Sequence, residues 1–203
     1  MKDFGLYVVM TNPVVGYAKC AEAAVKAGVK ILQLRMKHAS REEILEEARV
    51  VREITSNTGT LFIVNDSPEI ASIVGADGVH IGQDDMSPSE VRRRYPTLKV
   101  VGLSTHNIFQ VKKSLLEDVD YIGVGPVYAT PTKDIPDPTL GLNIMKEMIN
   151  LSPRPAVAIG GIDAERIKSV VEFGARNVAV VRAVCGSLNP EVAIKKLKSF
   201  LPI

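Results

Sequence analysis

Short β-branched runs recur along the chain, each followed by a polar turn and then by a stretch with helical periodicity. The runs cover residues 6–10, 30–34, 61–64, 78–81, 99–102, 121–124, 156–159 and 177–181. Several are almost purely apolar, which is the pattern of a parallel strand covered on both faces. The clearest helical stretch is 41–54, where Ile44, Leu45, Ala48 and Val51 follow a period near 3.6. Ser40 followed by Glu43 predicts a capping box at its start. Ser87-Pro88 predicts a second helix start and Asp163 a third cap, while Lys26-Ala27-Gly28 reads as a helix C-terminus.

Eight strand-like runs alternate with eight helix-like segments. Such alternation favours a parallel sheet with right-handed crossovers. Eight units within 203 residues fit a minimal α/β fold, the (β/α)8 TIM barrel, spanning 1–203 as a single domain. An open, doubly wound sheet is the competing topology. No GxGxxG follows the first run, and no long central insertion separates two mononucleotide-binding halves, so the barrel is preferred.

Composition narrows the function classes. Twenty-five Lys and Arg against 23 Asp and Glu give a net charge of +2, too balanced for a domain built around a polyanion such as DNA. The two cysteines, Cys20 and Cys185, lie in no metal-ligand spacing, which argues against a zinc module or a disulfide framework. The first apolar run is too short to span a bilayer or to form a signal-peptide core. A cytoplasmic protein without nucleic-acid or membrane partners is expected. With no Trp and only five Tyr and five Phe, the core must be built from Val, Ile, Leu and Ala.

In a barrel of this kind the chemistry sits at the C-terminal ends of the strands. Those positions hold Gln33, Arg35 and Lys37, then Asn65 and Asp66, then Gln83, Asp84 and Asp85, then Ser104, Thr105 and His106. Gly125-Pro126 and Thr130-Pro131-Thr132-Lys133 follow the sixth run, Gly160-Gly161 the seventh, and Arg182 the eighth. Strand alternation sends Gln33, Arg35 and Lys37 to one side, and Leu34 and Met36 to the other. This convergence suits phosphate oxygens, although a salt-bridged barrel interior would read the same way. Asp66 and Asp85 beside two cations, with no His or Cys cluster, suit Mg²⁺ bridging to phosphate. Helix capping by Asp66 ahead of Ser67-Pro68 is the alternative. Gly160-Gly161 and the turn after the last run fit a monophosphate site, and glycine also serves tight turns. His80 reads as a satisfied core imidazole and His106 as a residue near the mouth. No nucleophile–His–acid constellation is present, which disfavours covalent hydrolysis.

These motifs together resemble thiamine-phosphate synthase, also called thiamine-phosphate pyrophosphorylase. The resemblance rests on Gln33-Leu34-Arg35-x-Lys37, Val64-Asn65-Asp66, the segment 75–85 ending in Gln83-Asp84-Asp85, and Gly102-Leu103-Ser104-Thr105-His106. It continues through the segment 120–128, Thr130-Pro131-Thr132-Lys133 and Ala158-Ile159-Gly160-Gly161-Ile162. The resemblance implies condensation of 4-amino-5-hydroxymethyl-2-methylpyrimidine diphosphate with a thiazole phosphate, releasing thiamine phosphate and pyrophosphate. It assigns the pyrimidine diphosphate to Gln33, Arg35, Lys37, Asn65, Ser104 and Lys133. Mg²⁺ falls to Asp66 and Asp85. The thiazole phosphate falls to Thr130, Thr132, Gly160, Gly161, Val181 and Arg182. Arg35, Lys133 and Ser104 are the residues expected to act on the leaving pyrophosphate.

Two positions depart from the family pattern. Arg182 stands where Ser is usual, and the first run ends in Thr11-Asn12 rather than Thr-Asp. A thiazole tautomerase of the same fold would carry a His where this chain has Pro126. A non-catalytic ligand-binding protein of the same pathway has little reason to keep Asp66, Asp85 and Lys133. A phosphosugar isomerase would need a facing acid–base pair, and none can be assembled. The expected partners are small-molecule substrates, and the sequence is compatible with a homo-oligomer.

Overall fold

A computed structural model describes residues 3–130 and 138–202. The runs form strands β1 (Leu6–Met10), β2 (Ile31–Leu34), β3 (Leu61–Asn65), β4 (Gly78–Ile81), β5 (Val100–Thr105), β6 (Tyr121–Val124), β7 (Ala156–Ala158) and β8 (Asn177–Val180). All neighbouring pairs are parallel, and β1 pairs with both β2 and β8, so the sheet closes on itself. The expected (β/α)8 barrel is the observed architecture.

The helices are α1 (Tyr17–Lys26), α2 (Arg41–Thr55), α3 (Pro68–Ile73), α4 (Pro88–Arg94), α5 (Ile108–Ser114), α6 (Gly141–Leu151), α7 (Ile167–Glu172), α8 (Arg182–Cys185) and α9 (Pro190–Lys198). Their starts follow from local chemistry. Ser40 Oγ accepts the Glu43 N–H at 3.2 Å while Glu43 Oε2 accepts the Ser40 N–H at 2.7 Å, completing the capping box of α2. Helices α3, α4 and α9 share one device: a cap oxygen from Ser67, Ser87 or Asn189, with Pro as the first helical residue. Among the described residues, the one helix beyond the expected eight is α8. Its four residues are too few to leave a periodic signal.

Strand alternation splits the core into two layers. Val8, Leu32, Val64, Val79, Val101 and Ile122 face the helices. Tyr7, Ile31, Ile63, Val100, Tyr121 and Val157 fill the barrel, with Phe4 packed among them near its strand-start end. Phe4, Tyr7 and Tyr121 meet edge to face, with ring centroids 6.2, 6.2 and 5.9 Å apart. Each such pair contributes about 0.5–1.5 kcal/mol beyond its buried area.

The strand-start end is secured by polar side chains at the heads of alternate strands. Asp77 Oδ2 accepts the Phe62 N–H (2.8 Å) and Arg52 Nη1 (2.9 Å). Asp120 Oδ2 accepts the Val101 N–H (2.7 Å) and Arg92 Nη2 (2.6 Å). Asn177 Oδ1 accepts the Phe4 and Gly5 N–H groups. Each ties its strand to a neighbour, so this end carries stability and leaves the opposite mouth for chemistry.

Candidate active site at the barrel mouth

Asp66 lies at the first turn after β3. Its backbone sits in the left-handed region (φ 60°), a conformation that is rare outside glycine and clusters at functional sites. The Asp66 N–H donates to the His80 carbonyl at 2.8 Å, and the Ser67 N–H donates to the Asn65 carbonyl at 2.8 Å. This kink gives the capping role to Ser67, whose Oγ accepts the Ile70 N–H. The carboxylate of Asp66 is left for other work, so the helix-capping alternative does not hold. It pairs with Lys37. Lys37 lies in the turn beyond β2, outside the reach of strand alternation, and is the counter-charge of the carboxylate just after the next strand.

Asp85 joins this pair from the turn after β4. Its Oδ2 accepts the Gly82 N–H at 2.7 Å. Burial, then the neighbouring Asp66 charge and hydrogen bond, push its carboxyl above the usual aspartate range. Two carboxylates held together at such a cost suit a hard cation. Among the described residues no group of three or more His, Cys, Asp or Glu side chains gathers to hold a metal. A two-carboxylate site instead fits Mg²⁺, which keeps several waters and shares its sphere with substrate phosphates.

Beside this cluster a polar chain crosses the barrel. Gln33 is 3 % exposed, and its Nε2 donates to Tyr7 Oη at 2.6 Å. Tyr7 Oη and Tyr121 Oη are 2.9 Å apart, and Tyr121 Oη lies 2.9 Å from His80 Nδ1. His80 Nε2 lies 2.9 Å from Ser104 Oγ. Gln83 Nε2 then donates to the Ser104 carbonyl at 2.6 Å, linking the ends of β4 and β5. Glycines make room for this row. A Cβ on Gly102 would lie 2.1 Å from Tyr121 Cζ, whereas one on Gly123 would lie 3.5 Å from His80 Cε1. Sequence reasoning missed Tyr7 and treated Tyr121 only as part of a motif. The available signal was a phenol at an inward position of a strand, since a buried hydroxyl must find a partner.

On the far side, residues 127 and 128, just after β6, pair with the end of β7. The Val127 N–H donates to the Ile159 carbonyl and the Tyr128 N–H to the Gly160 carbonyl. Gly160 (φ +105°) cannot carry a side chain, because a Cβ would lie 2.5 Å from Pro126 Cα. At Gly161 a Cβ would lie 2.7 Å from the Ala129 carbonyl oxygen. The structural reading of this Gly-Gly pair therefore holds, alongside any role toward a ligand. Thr130 is half-buried, while Thr132 and Lys133 lie outside the described residues. Val181 packs against both core layers and precedes α8, whose first residue, Arg182, is exposed. The leading N–H groups of α8 have no intrahelical acceptors.

His106 is engaged locally, with Nδ1 2.7 Å from the Gly125 carbonyl and its N–H donating to Gln110. Cys20 and Cys185 meet behind β1, both buried. Their hydrogen bond, together with burial, holds the Cys20 thiol above its usual range. Neither thiol is placed to act as an exposed nucleophile.

The family model described as thiamine monophosphate synthase matches residues 6–184. A thiamine-phosphate synthase from Caldicellulosiruptor saccharolyticus is 42% identical over 176 residues, covering 87% of this chain and 80% of the relative. One from Synechocystis sp. is 41% identical over 197 residues, covering 97% of this chain and 57% of that longer protein. A solved thiamine phosphate pyrophosphorylase from Pyrococcus furiosus superposes with a TM-score of 0.89 at 27% identity, over 98% of this chain and 95% of that one. On the match of its sequence and its barrel, the chain belongs to the thiamine monophosphate synthase family.

Proposed function

We propose that this protein joins 4-amino-5-hydroxymethyl-2-methylpyrimidine diphosphate to 4-methyl-5-(2-phosphooxyethyl)thiazole at the barrel mouth, forming thiamine phosphate and pyrophosphate. The observation that carries this reading is the cluster of Lys37, Asp66 and Asp85 across the ends of β2, β3 and β4. Buried Gln33 and the Ser104 hydroxyl lie at the two ends of the adjacent polar chain. A cation-seeking carboxylate pair beside fixed positive charge is what a diphosphate leaving group needs.

In this reading Gln33, Arg35, Lys37, Asn65, Ser104 and Lys133 bind the pyrimidine diphosphate. Asp66 and Asp85 would hold Mg²⁺, which would supply charge neutralisation to the diphosphate. The CH2–O bond breaks with its electron pair leaving on pyrophosphate, and the aminopyrimidine ring spreads the positive charge left on carbon. Arg35 and Lys133 stabilise most where the leaving charge grows. Thr130, Thr132, Gly160, Gly161, Val181 and Arg182 hold the thiazole phosphate so that its ring nitrogen faces that carbon. The nitrogen lone pair then forms the new C–N bond. Positioning supplies much of the rate, and no protein nucleophile or proton transfer is required.

The test is turnover by purified protein with both substrates and Mg²⁺, omitting each in turn. Thiamine phosphate and pyrophosphate are expected in equal amounts, and only with all three present. Folded protein that releases no pyrophosphate, or that merely isomerises the thiazole, overturns the proposal.

A further inference from the structure

The chain Gln33–Tyr7–Tyr121–His80–Ser104 has a property that none of its members has alone. Each phenol has one proton and two partners in the chain. Burial pushes both phenols well above their usual range, so both protons stay. Tyr7 and Tyr121 are 2 % and 0 % exposed, and a hydroxyl proton aimed at nothing there would be costly. Each phenol must therefore accept from one neighbour and donate to the other, and an uncharged His80 carries one N–H. With His80 uncharged, the row can run in only two directions.

When it runs from Gln33 to Ser104, the amide NH2 donates inward and Gln33 Oε1 is left as the outward group. His80 is then the Nε2–H tautomer and donates to Ser104 Oγ, leaving the Ser104 proton to point out of the chain. When it runs the other way, Gln33 turns its NH2 outward, His80 is the Nδ1–H tautomer, and Ser104 offers only lone pairs. The structure has Gln33 Nε2 against Tyr7, the first direction.

We infer that Tyr7, Tyr121 and His80 are positioning residues that couple the two ends of the site, so that an amino group accepted at Gln33 and an anionic oxygen bound at Ser104 select the same direction of the row. The inference rests on the proposed function, because the pyrimidine diphosphate carries both groups. A 4-oxo analogue presents an acceptor where the amino group donates. It demands the reversed row, which turns Ser104 lone pairs toward the diphosphate. Discrimination between amino and oxo pyrimidines is therefore set partly from the other side of the barrel.

The experiment compares binding of the 4-amino and 4-oxo pyrimidine diphosphates, with Mg²⁺, to the wild type, Tyr121→Phe and the double variant Tyr7→Phe/Tyr121→Phe. The double variant removes both hydroxyls and avoids a stranded phenol if the single variant folds poorly. Losing one hydrogen bond of coupling predicts a roughly tenfold fall in the amino-to-oxo ratio in either variant. Imidazole nitrogen NMR of His80 in the wild type gives a second readout that a purely structural role would not move. The Nε2–H tautomer is expected with the amino ligand and the Nδ1–H tautomer with the oxo ligand. An unchanged ratio in the folded variants, or the same tautomer with both ligands, overturns the inference while leaving the proposed function standing. Failure of the wild type to bind either diphosphate overturns both.

Discussion

Gly102→Ala is a one-carbon change whose consequence can be worked out from the barrel interior. Its new Cβ would lie 2.1 Å from Tyr121 Cζ, 2.4 Å from Tyr121 Oη and 2.5 Å from Tyr121 Cε1. Non-bonded carbons rest about 3.5–4.0 Å apart, so the ring must retreat by roughly 1.5 Å. The ring cannot do so freely, because it is fully buried and edge-packed against Tyr7 and Phe4. A shift of that size also breaks the 2.9 Å contacts of its hydroxyl with Tyr7 and His80. Overpacking costs about 1–3 kcal/mol, and two lost hydrogen bonds add about 1 kcal/mol each. The sum, about 3–5 kcal/mol, lowers a urea midpoint by roughly 1–2 M. Gly123→Ala is the matched control in the same slot. Its Cβ would meet His80 Cε1 at 3.5 Å and Ser104 Cα at 3.7 Å, ordinary contact distances. Urea denaturation followed by circular dichroism, with steady-state pyrophosphate release on the same samples, reads both effects. Gly102→Ala is expected to lose stability and turnover, and Gly123→Ala to keep most of both. A wild-type midpoint for Gly102→Ala, or equal losses in the two variants, would refute the steric argument.

Asp85→Asn should move stability and function in opposite directions. Because the Asp85 carboxyl is raised in the fold, its ionised form opposes folding, and this penalty grows as pH rises through the raised value. Metal-free Asp85→Asn is therefore expected to be the more stable protein at neutral pH in urea with a chelator, yet to need far more Mg²⁺ for turnover. In the wild type, the apparent Mg²⁺ affinity should weaken on acidification at a higher pH than an ordinary aspartate would give. Asp120→Ala removes the acceptor of the Val101 N–H and of Arg92 Nη2 at the far end of the barrel, while Arg92 keeps Asp118 and the Leu98 and Lys99 carbonyls. It should cost about 1–3 kcal/mol of stability in urea while leaving both KM values unchanged. Lys133→Ala is expected to slow turnover more than it weakens thiazole phosphate binding, as read by calorimetry beside single-turnover kinetics; unchanged turnover would remove Lys133 from the leaving-group role.

The fold was legible because its signals are local and repeated. Every predicted run became a strand, with ends within three residues of those expected, and the Ser40–Glu43 capping box formed where its spacing put it. Alternation along β2 also placed Gln33 inside the barrel and Leu34 in the layer facing the helices. What escaped was non-local or too short to be periodic. Helix α8 has four residues. The capping role passed from Asp66 to Ser67 because the chain kinks through the left-handed region, which no spacing announces. The meeting of Tyr7 with Tyr121, and of Cys20 with Cys185, depends on closing the ring across more than a hundred residues. Motif membership also did not separate chemistry from support. Asp77 and Asp120 stand in the same recognised segments as Asp85 and Pro126, yet they anchor strand starts far from the mouth.

Diphosphate, metal and product are expected to meet at the strand C-terminal mouth between β2 and β5. A crystal structure with Mg²⁺, thiamine phosphate and pyrophosphate tests it most directly. Metal bonded to Asp66 and Asp85, with pyrophosphate among Arg35, Lys37 and Ser104, is the expected result. Products bound elsewhere on the barrel, or a metal held by other side chains, would contradict it.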